Sequence, residues 1–232
     1  MAATASTTAP TQIQSGVAPL RAGQGYSFWL RRLHSLSGIV PVGLFLIEHF
    51  ISNAFATRGP SAYTKQVELL SSFPFVVGLE LFGIWLPILY HGFYGIYVWL
   101  RGKSNVSQYV WVGSWMFAVQ RYTGLITFVF IGWHVWTERF LPHGNSTFAG
   151  VRENLGHPLY FWLYAVGVTA ASVHLGIGVW NFLCKWGVAA TVRAQRAAGY
   201  LGIAVAVAFA VVGLAIAVSF RYDWHPFQFY RP

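Results

Sequence analysis

Cysteine occurs once in 232 residues, at Cys184. A lone thiol excludes a disulfide framework, a CxxCH site for covalent haem and a thiolate-held cluster within the chain. Charge is scarce as well, at 9% of residues, and acid is the scarcer sign, with six carboxylates against fifteen Lys and Arg. With 56% apolar residues the chain has too little polarity to clothe a soluble domain and reads as a polytopic membrane protein. The net charge of +9 would point to nucleic acid in a soluble protein. Here the bases sit in short segments between apolar runs, where they serve topology and lipid headgroup contact, so no nucleic-acid partner is expected. Residues 1–25 have neither an apolar run nor the basic start of a secretory signal, and read as a flexible polar tail.

What is present is apolar length. Five runs, near 29–55, 74–100, 116–139, 158–184 and 197–220, are each long enough to span about 30 Å of hydrocarbon at about 1.5 Å per residue. The expected fold is all-α: an integral membrane bundle of five transmembrane helices over residues 26–220, four of them forming a core, with a C-terminal tail over 221–232 and short loops between. The fifth run, Gly199 to Phe220, has no histidine and no charge and is read as a packing or lipid-facing helix. With the N-terminus cytoplasmic, nine bases fall on the inner side and six on the outer, and all six acids fall on the outer half. Pro41 and Pro87 are positions where the first and second helices would break.

Histidine then becomes the informative residue, because an imidazole inside a membrane needs a partner, a cavity or a metal. His49 lies about 20 residues and His134 about 17 residues from the inner ends of their helices, roughly 25 to 30 Å deep. His91 and His174 lie about 9 and 11 residues from theirs, near 15 Å. Two tiers of two histidines, each from a different helix, are the arrangement that supplies an iron porphyrin with two axial imidazoles. Small residues accompany them: Gly38 on the face of His49, Gly95 with His91, Thr123 and Thr127 with His134, and Gly167 and Gly178 with His174. The same glycines also suit close helix packing. His34 has no partner at its expected depth and reads as an interfacial histidine or a solvated helix end. His143, His157 and His225 fall in outer segments and read as solvated surface. Trp and Tyr near the run ends, among them Trp111, Trp136 and Trp186, read as an aromatic belt. Glu48 and Glu138, next to the outer tier, are acids placed to take protons released there, or plain interfacial acids.

The ordered strings RRLHSLSG, PVGLFLIEHF, LPILYHGFYGIY, QRYTGLITFVFIGWHVW, HLGIGVWNF and CKWG, from about Tyr26 to Arg196, resemble the cytochrome b membrane-anchor subunit of succinate dehydrogenase and fumarate reductase. The resemblance is to the five-helix, two-haem form found in bacteria such as bacilli. It implies a non-catalytic subunit in the bacterial cell membrane, which anchors a flavoprotein and an iron–sulfur subunit and passes electrons between iron–sulfur clusters and quinone through two b haems. Higher oligomers of the complex are compatible with it. It also implies His91 and His174 as ligands of the inner haem, His49 and His134 as ligands of the outer, and no ligand role for His34. Arg31, Arg32 and Arg121, at the inner ends of the first and third helices, are candidate partners for haem propionates or headgroups. Ser172 stands where some fumarate-reducing relatives carry a glutamate that supports proton movement. Two other readings stay open on the residues alone. One is the cytochrome b subunit of another quinone-linked dehydrogenase; the other is a transporter with a histidine relay, which predicts a colourless protein and ligands clustered at one depth.

Overall fold

The computed structural model describes residues 22–102, 112–141 and 147–228, with side chains from residue 27 in the first segment and 114 in the second. His143, Trp111 and most of the N-terminal tail lie outside the described residues. All regular structure among the described residues is helical.

The first span, Ser27–Arg58, is built from α1 (Ala22–Ile39) and α2 (Pro41–Ala54). Pro41 has no N–H to give to the preceding turn, so the ladder is interrupted there. Val40 N–H still donates to Leu36 (2.9 Å) and Leu44 N–H to Val40 (3.1 Å), which makes the site a joint within one span and not a break. The chain leaves through a short 3-10 turn, Phe55–Arg58, and Gly59 at φ +100°, a conformation that favours glycine. It then enters α3 (Pro60–Ser71). The second span, Val76–Arg101, comprises α4 (Val76–Leu79), a π-helical segment Glu80–Trp85 and α5 (Leu86–Arg101). Pro87 sits in the first turn of α5, where its missing N–H costs little, so this helix too continues. α6 (Val112–Val135) runs into a π-helical turn, Trp136–Phe140. α7 (Phe148–Gly156), capped by the Thr147 hydroxyl, leads into α8 (Pro158–Lys185), and α9 (Val192–Tyr222) ends the fold.

Among the described residues four helices, in the first, second, fourth and fifth runs, are long and apolar enough to cross a membrane. α6 has 24 residues, but Gln120, Arg121 and His134 make it the more polar helix. Cross-contacts define two ends of the bundle. At the basic end Arg32 Nη1 donates to the Lys185 carbonyl (2.7 Å) and Arg121 to the carbonyls of Trp99 and Gly102. At the acidic end Arg139 forms a two-point ion pair with Glu80 (2.8 and 3.1 Å), and Arg221 Nη1 donates to Leu155 (2.6 Å).

The connections at the acidic end, expected to be short loops, carry α3 and α7 instead. Their apolar faces meet the end of α9 in the main buried core, around Tyr63, Phe148, Val151, Leu155 and Phe220. Along the spans many large apolar side chains are exposed, as Ile51, Val129 and Val207 are, on surface suited to lipid. α8 and α9 pack closest, backbone against backbone at Gly176 and Gly202: a Cβ added to Gly202 would sit 2.5 Å from the Gly176 carbonyl oxygen.

His225 is not a solvated surface residue. Its Nδ1 lies 2.9 Å from the Ala56 carbonyl and its Nε2 2.8 Å from Asp223, which also pairs with Arg152 (3.0 Å), while Phe227 N–H donates to Thr57. The hydrogen bond from His225, ahead of the Arg152 charge, holds the Asp223 carboxyl below its ordinary range. A carboxyl with a lowered folded-state pKa adds stability above the ordinary carboxylate pKa and loses it as pH falls through the folded value. The protection of the Phe227 amide against exchange, taken relative to its intrinsic rate at the same pH, is therefore expected to fall below about pH 4. In Asp223→Asn it should be low already at neutral pH. Exchange that is slow and unchanged in the variant would show that the tail is held by other contacts.

Candidate functional site

A cavity of about 1580 Å³ runs through the bundle between the two ends, larger than the roughly 300–1,000 Å³ of an ordinary small-molecule pocket. His34, His49, His91, His134 and His174 all line it, from α1, α2, α5, α6 and α8. The histidines come in pairs. The ring centres of His91 and His174 are 6.2 Å apart with planes at 83°, and those of His49 and His134 are 5.9 Å apart at 75°. Two imidazoles that share a metal at about 2 Å from each nitrogen have ring centres roughly 6 Å apart.

The second nitrogen of each ring is engaged. His91 Nδ1 lies 3.0 Å from the His34 carbonyl and His174 Nδ1 2.9 Å from the Gln120 carbonyl. A carbonyl can only accept, so both rings carry hydrogen on Nδ1 and turn the Nε2 lone pair outward, the arrangement usual for metal-binding imidazoles. His134 Nδ1 lies 3.0 Å from the Tyr164 hydroxyl, and His49 Nδ1 3.4 Å from the Asn53 amide. The Asn53 amide also donates to the His49 carbonyl at 2.8 Å.

Glycines allow these approaches: Gly38, Gly95 and Gly178 line the cavity with the histidines as expected, and some meet a ring from a neighbouring helix. Gly38 abuts the ring of His91 across the α1–α5 interface and not His49 on its own span. Gly95 abuts His34, Gly124 abuts His174, and Gly167 accommodates Phe130. A Cβ on Gly124 would lie 2.7 Å from His174 Cε1. Thr127 lines the cavity with its hydroxyl buried and unpartnered among the described residues, whereas Thr123 donates back to Val119 (2.7 Å).

His34 is not isolated. It stacks on His91 with centres 4.2 Å apart and planes at 14°, and its Nδ1 is buried with no hydrogen bond among the described residues. α1 begins at Ala22, inside the stretch read as tail, so His34 lies about 18 Å along the helix instead of at its end. Arg31, Arg32 and Arg121 all line the basic end, but Arg32 and Arg121 are committed to the carbonyls described above. Buried Arg121 Nε and Gln120 Oε1 still lack partners there among the described residues. Buried polar atoms are normally hydrogen-bonded, so these fit a polar group that the described residues do not supply. Ser172 is fully buried and donates to Val168 (2.7 Å), turned away from the cavity.

At the acidic end Ser52 donates to Glu48, and Gln66 donates to Ser52 at 3.1 Å. Glu138 accepts from Tyr164 (2.7 Å) and Asn154 (3.1 Å), and its Oε2 is buried without a partner among the described residues. Tyr164 joins Glu138 to His134, a role that no pattern in α8 announces, because the contact depends on the π-helical turn after Val135 and on how α6 crosses α8.

Residues 101–213 match the family of the succinate dehydrogenase/fumarate reductase transmembrane subunit. The chain is also 40% identical, over 195 residues, to the succinate dehydrogenase cytochrome b558 subunit of Bacillus subtilis strain 168, an alignment covering 83% of this chain and 96% of that relative. The chain belongs to the succinate dehydrogenase/fumarate reductase transmembrane subunit family. It is thus a multi-pass membrane protein and a non-catalytic subunit of an enzyme complex. Members of this family anchor their complex in the membrane, and the cavity with its paired imidazoles is the part of this chain able to hold a redox group.

Proposed function

We propose that the chain holds two b haems, one between His91 and His174 and one between His49 and His134, and conducts electrons between an iron–sulfur subunit and membrane quinone. The observation that carries this reading is the pairing of imidazoles at 6.2 and 5.9 Å, each pair drawn from separate helices. Such a group would supply one-electron chemistry in a low dielectric, while the protein binds, orients and tunes it. The His34 and Gln120 carbonyls hold His91 and His174 in the ligating tautomer. Arg31, with Arg32 and Arg121 beside it, provides positive charge for propionates at the basic end. All five runs cross the membrane in this reading, α6 included, because the cavity shelters its polar residues from lipid. Residues 26–220 form one membrane domain, the N-terminus is cytoplasmic, and the basic end docks the iron–sulfur and flavoprotein subunits.

The test is purification of the complex from its membrane in mild detergent, with haem quantitation and reduction by succinate. Two b haems per chain, reduced by succinate through co-purified flavoprotein and iron–sulfur subunits, are the expected result. A colourless chain, or one that brings down a hydrogenase or formate dehydrogenase subunit, would overturn the reading.

A further inference from the structure

We propose that Tyr164 and Glu138 are positioning residues for His134 and, through that imidazole, lower the reduction potential of the iron it binds. This rests on the proposed ligation by His134. The phenol oxygen lies 3.0 Å from His134 Nδ1 and gives its own proton to Glu138 Oε1 at 2.7 Å. With that proton committed, the phenol meets the imidazole as an acceptor and fixes hydrogen on Nδ1. Asn154 donates to the same carboxylate oxygen at 3.1 Å and holds it in place, and Tyr164 is only 8% exposed, so water does not compete well for these bonds.

The chain of bonds ends on a carboxyl whose second oxygen, Oε2, is buried with no partner among the described residues. A carboxylate drawing on the phenol proton makes the phenol oxygen a stronger acceptor, which in turn makes the imidazole a stronger electron donor. A more basic axial ligand favours the ferric state and lowers the potential. The other pair lacks this device, since His91 and His174 meet neutral backbone carbonyls. Neither residue would be expected to matter for haem retention, because neither is placed to supply a ligand atom.

The experiment uses the purified complex with Tyr164→Phe, Glu138→Gln and the double substitution, reading haem content and the potentials of both b centres by spectroelectrochemistry. The centre lost in His134→Ala identifies which potential to follow. In Tyr164→Phe that centre should shift toward the reduced form by about tenfold at fixed ambient potential, about 59 mV for one electron. Glu138→Gln, nearly isosteric and able to keep the hydrogen bond, should move the same centre in the same direction by less. The double variant should shift no further than Tyr164→Phe, as expected of residues acting in series. The His91/His174 centre should not move. If both haems are retained and neither single variant moves the potential, the proposal is overturned while ligation stands. If His134→Ala loses no haem, ligation itself fails. Should Tyr164→Phe lose the haem, Glu138→Gln decides by the same shift, because it leaves packing around the ring intact.

Discussion

Replacing His91 with alanine is expected to remove one b haem per chain and leave the other, and replacing His134 to remove the complementary one. Each variant should therefore retain about half of the b-type absorbance, with a different half missing. The expectation follows from the separateness of the pairs. His91 faces His174 across 6.2 Å and His134 faces His49 across 5.9 Å, and each pair has its own supporting hydrogen bonds. An alanine has no atom that can reach the metal, so the remaining imidazole would be left as a single weak attachment. His34→Leu is the control: its ring stacks alongside His91, and both haems should remain. Difference spectra with haem quantitation on the purified complex read all three variants. Loss of the same haem in His91→Ala and His134→Ala would show that the pairing is wrong.

Gly176→Leu is expected to separate α8 from α9 and collapse the yield of folded complex. The two backbones touch at Gly176 and Gly202, where an added Cβ at Gly176 would run into the Gly202 carbonyl and lie 2.8 Å from Ala206 Cβ. Backbone cannot give way as a flexible side chain can, so overpacking here costs at least about 1–3 kcal/mol. The damage should extend to cofactor content, since α8 carries His174 two residues before Gly176 and Tyr164 three turns earlier. Gly132→Ala is the matched control: nothing lies within 4 Å of its added Cβ, so in a helix interior it should be neutral or stabilising by about 0.5–1 kcal/mol. Thermal unfolding of the detergent-solubilised complex, followed by haem release, would check both. A Gly176→Leu complex that melts with the parent would mean that α9 is not held through this contact.

The histidine pairing was legible before any coordinates because helix rise is constant. Counting residues from a run's end fixes depth, and depth alone sorted His49 with His134 and His91 with His174. The same arithmetic left His34 without a partner, whereas its ring stacks on that of His91, because the crossing of α1 and α5 and not depth sets which rings meet. The glycines were legible in part. Periodicity placed Gly38, Gly95 and Gly178 on cavity-lining faces, but that Gly38 meets His91 on a neighbouring helix depends on crossing geometry.

Composition, apolar length and histidine spacing determined by themselves that this is a helical membrane protein with imidazoles stationed at two depths. These are one-dimensional properties: burial in lipid depends on run length, and depth on residue count. Tertiary structure decided what each imidazole's second nitrogen meets, which partners the acids and arginines find, and how α3, α7 and the His225 tail close the acidic end. Those outcomes turn on helix crossing, on the joint at Pro41 and on the π-helical turns, which rotate side chains between neighbours. A hydrogen bond tolerates only a few tenths of an ångström, far finer than any spacing along the chain can specify.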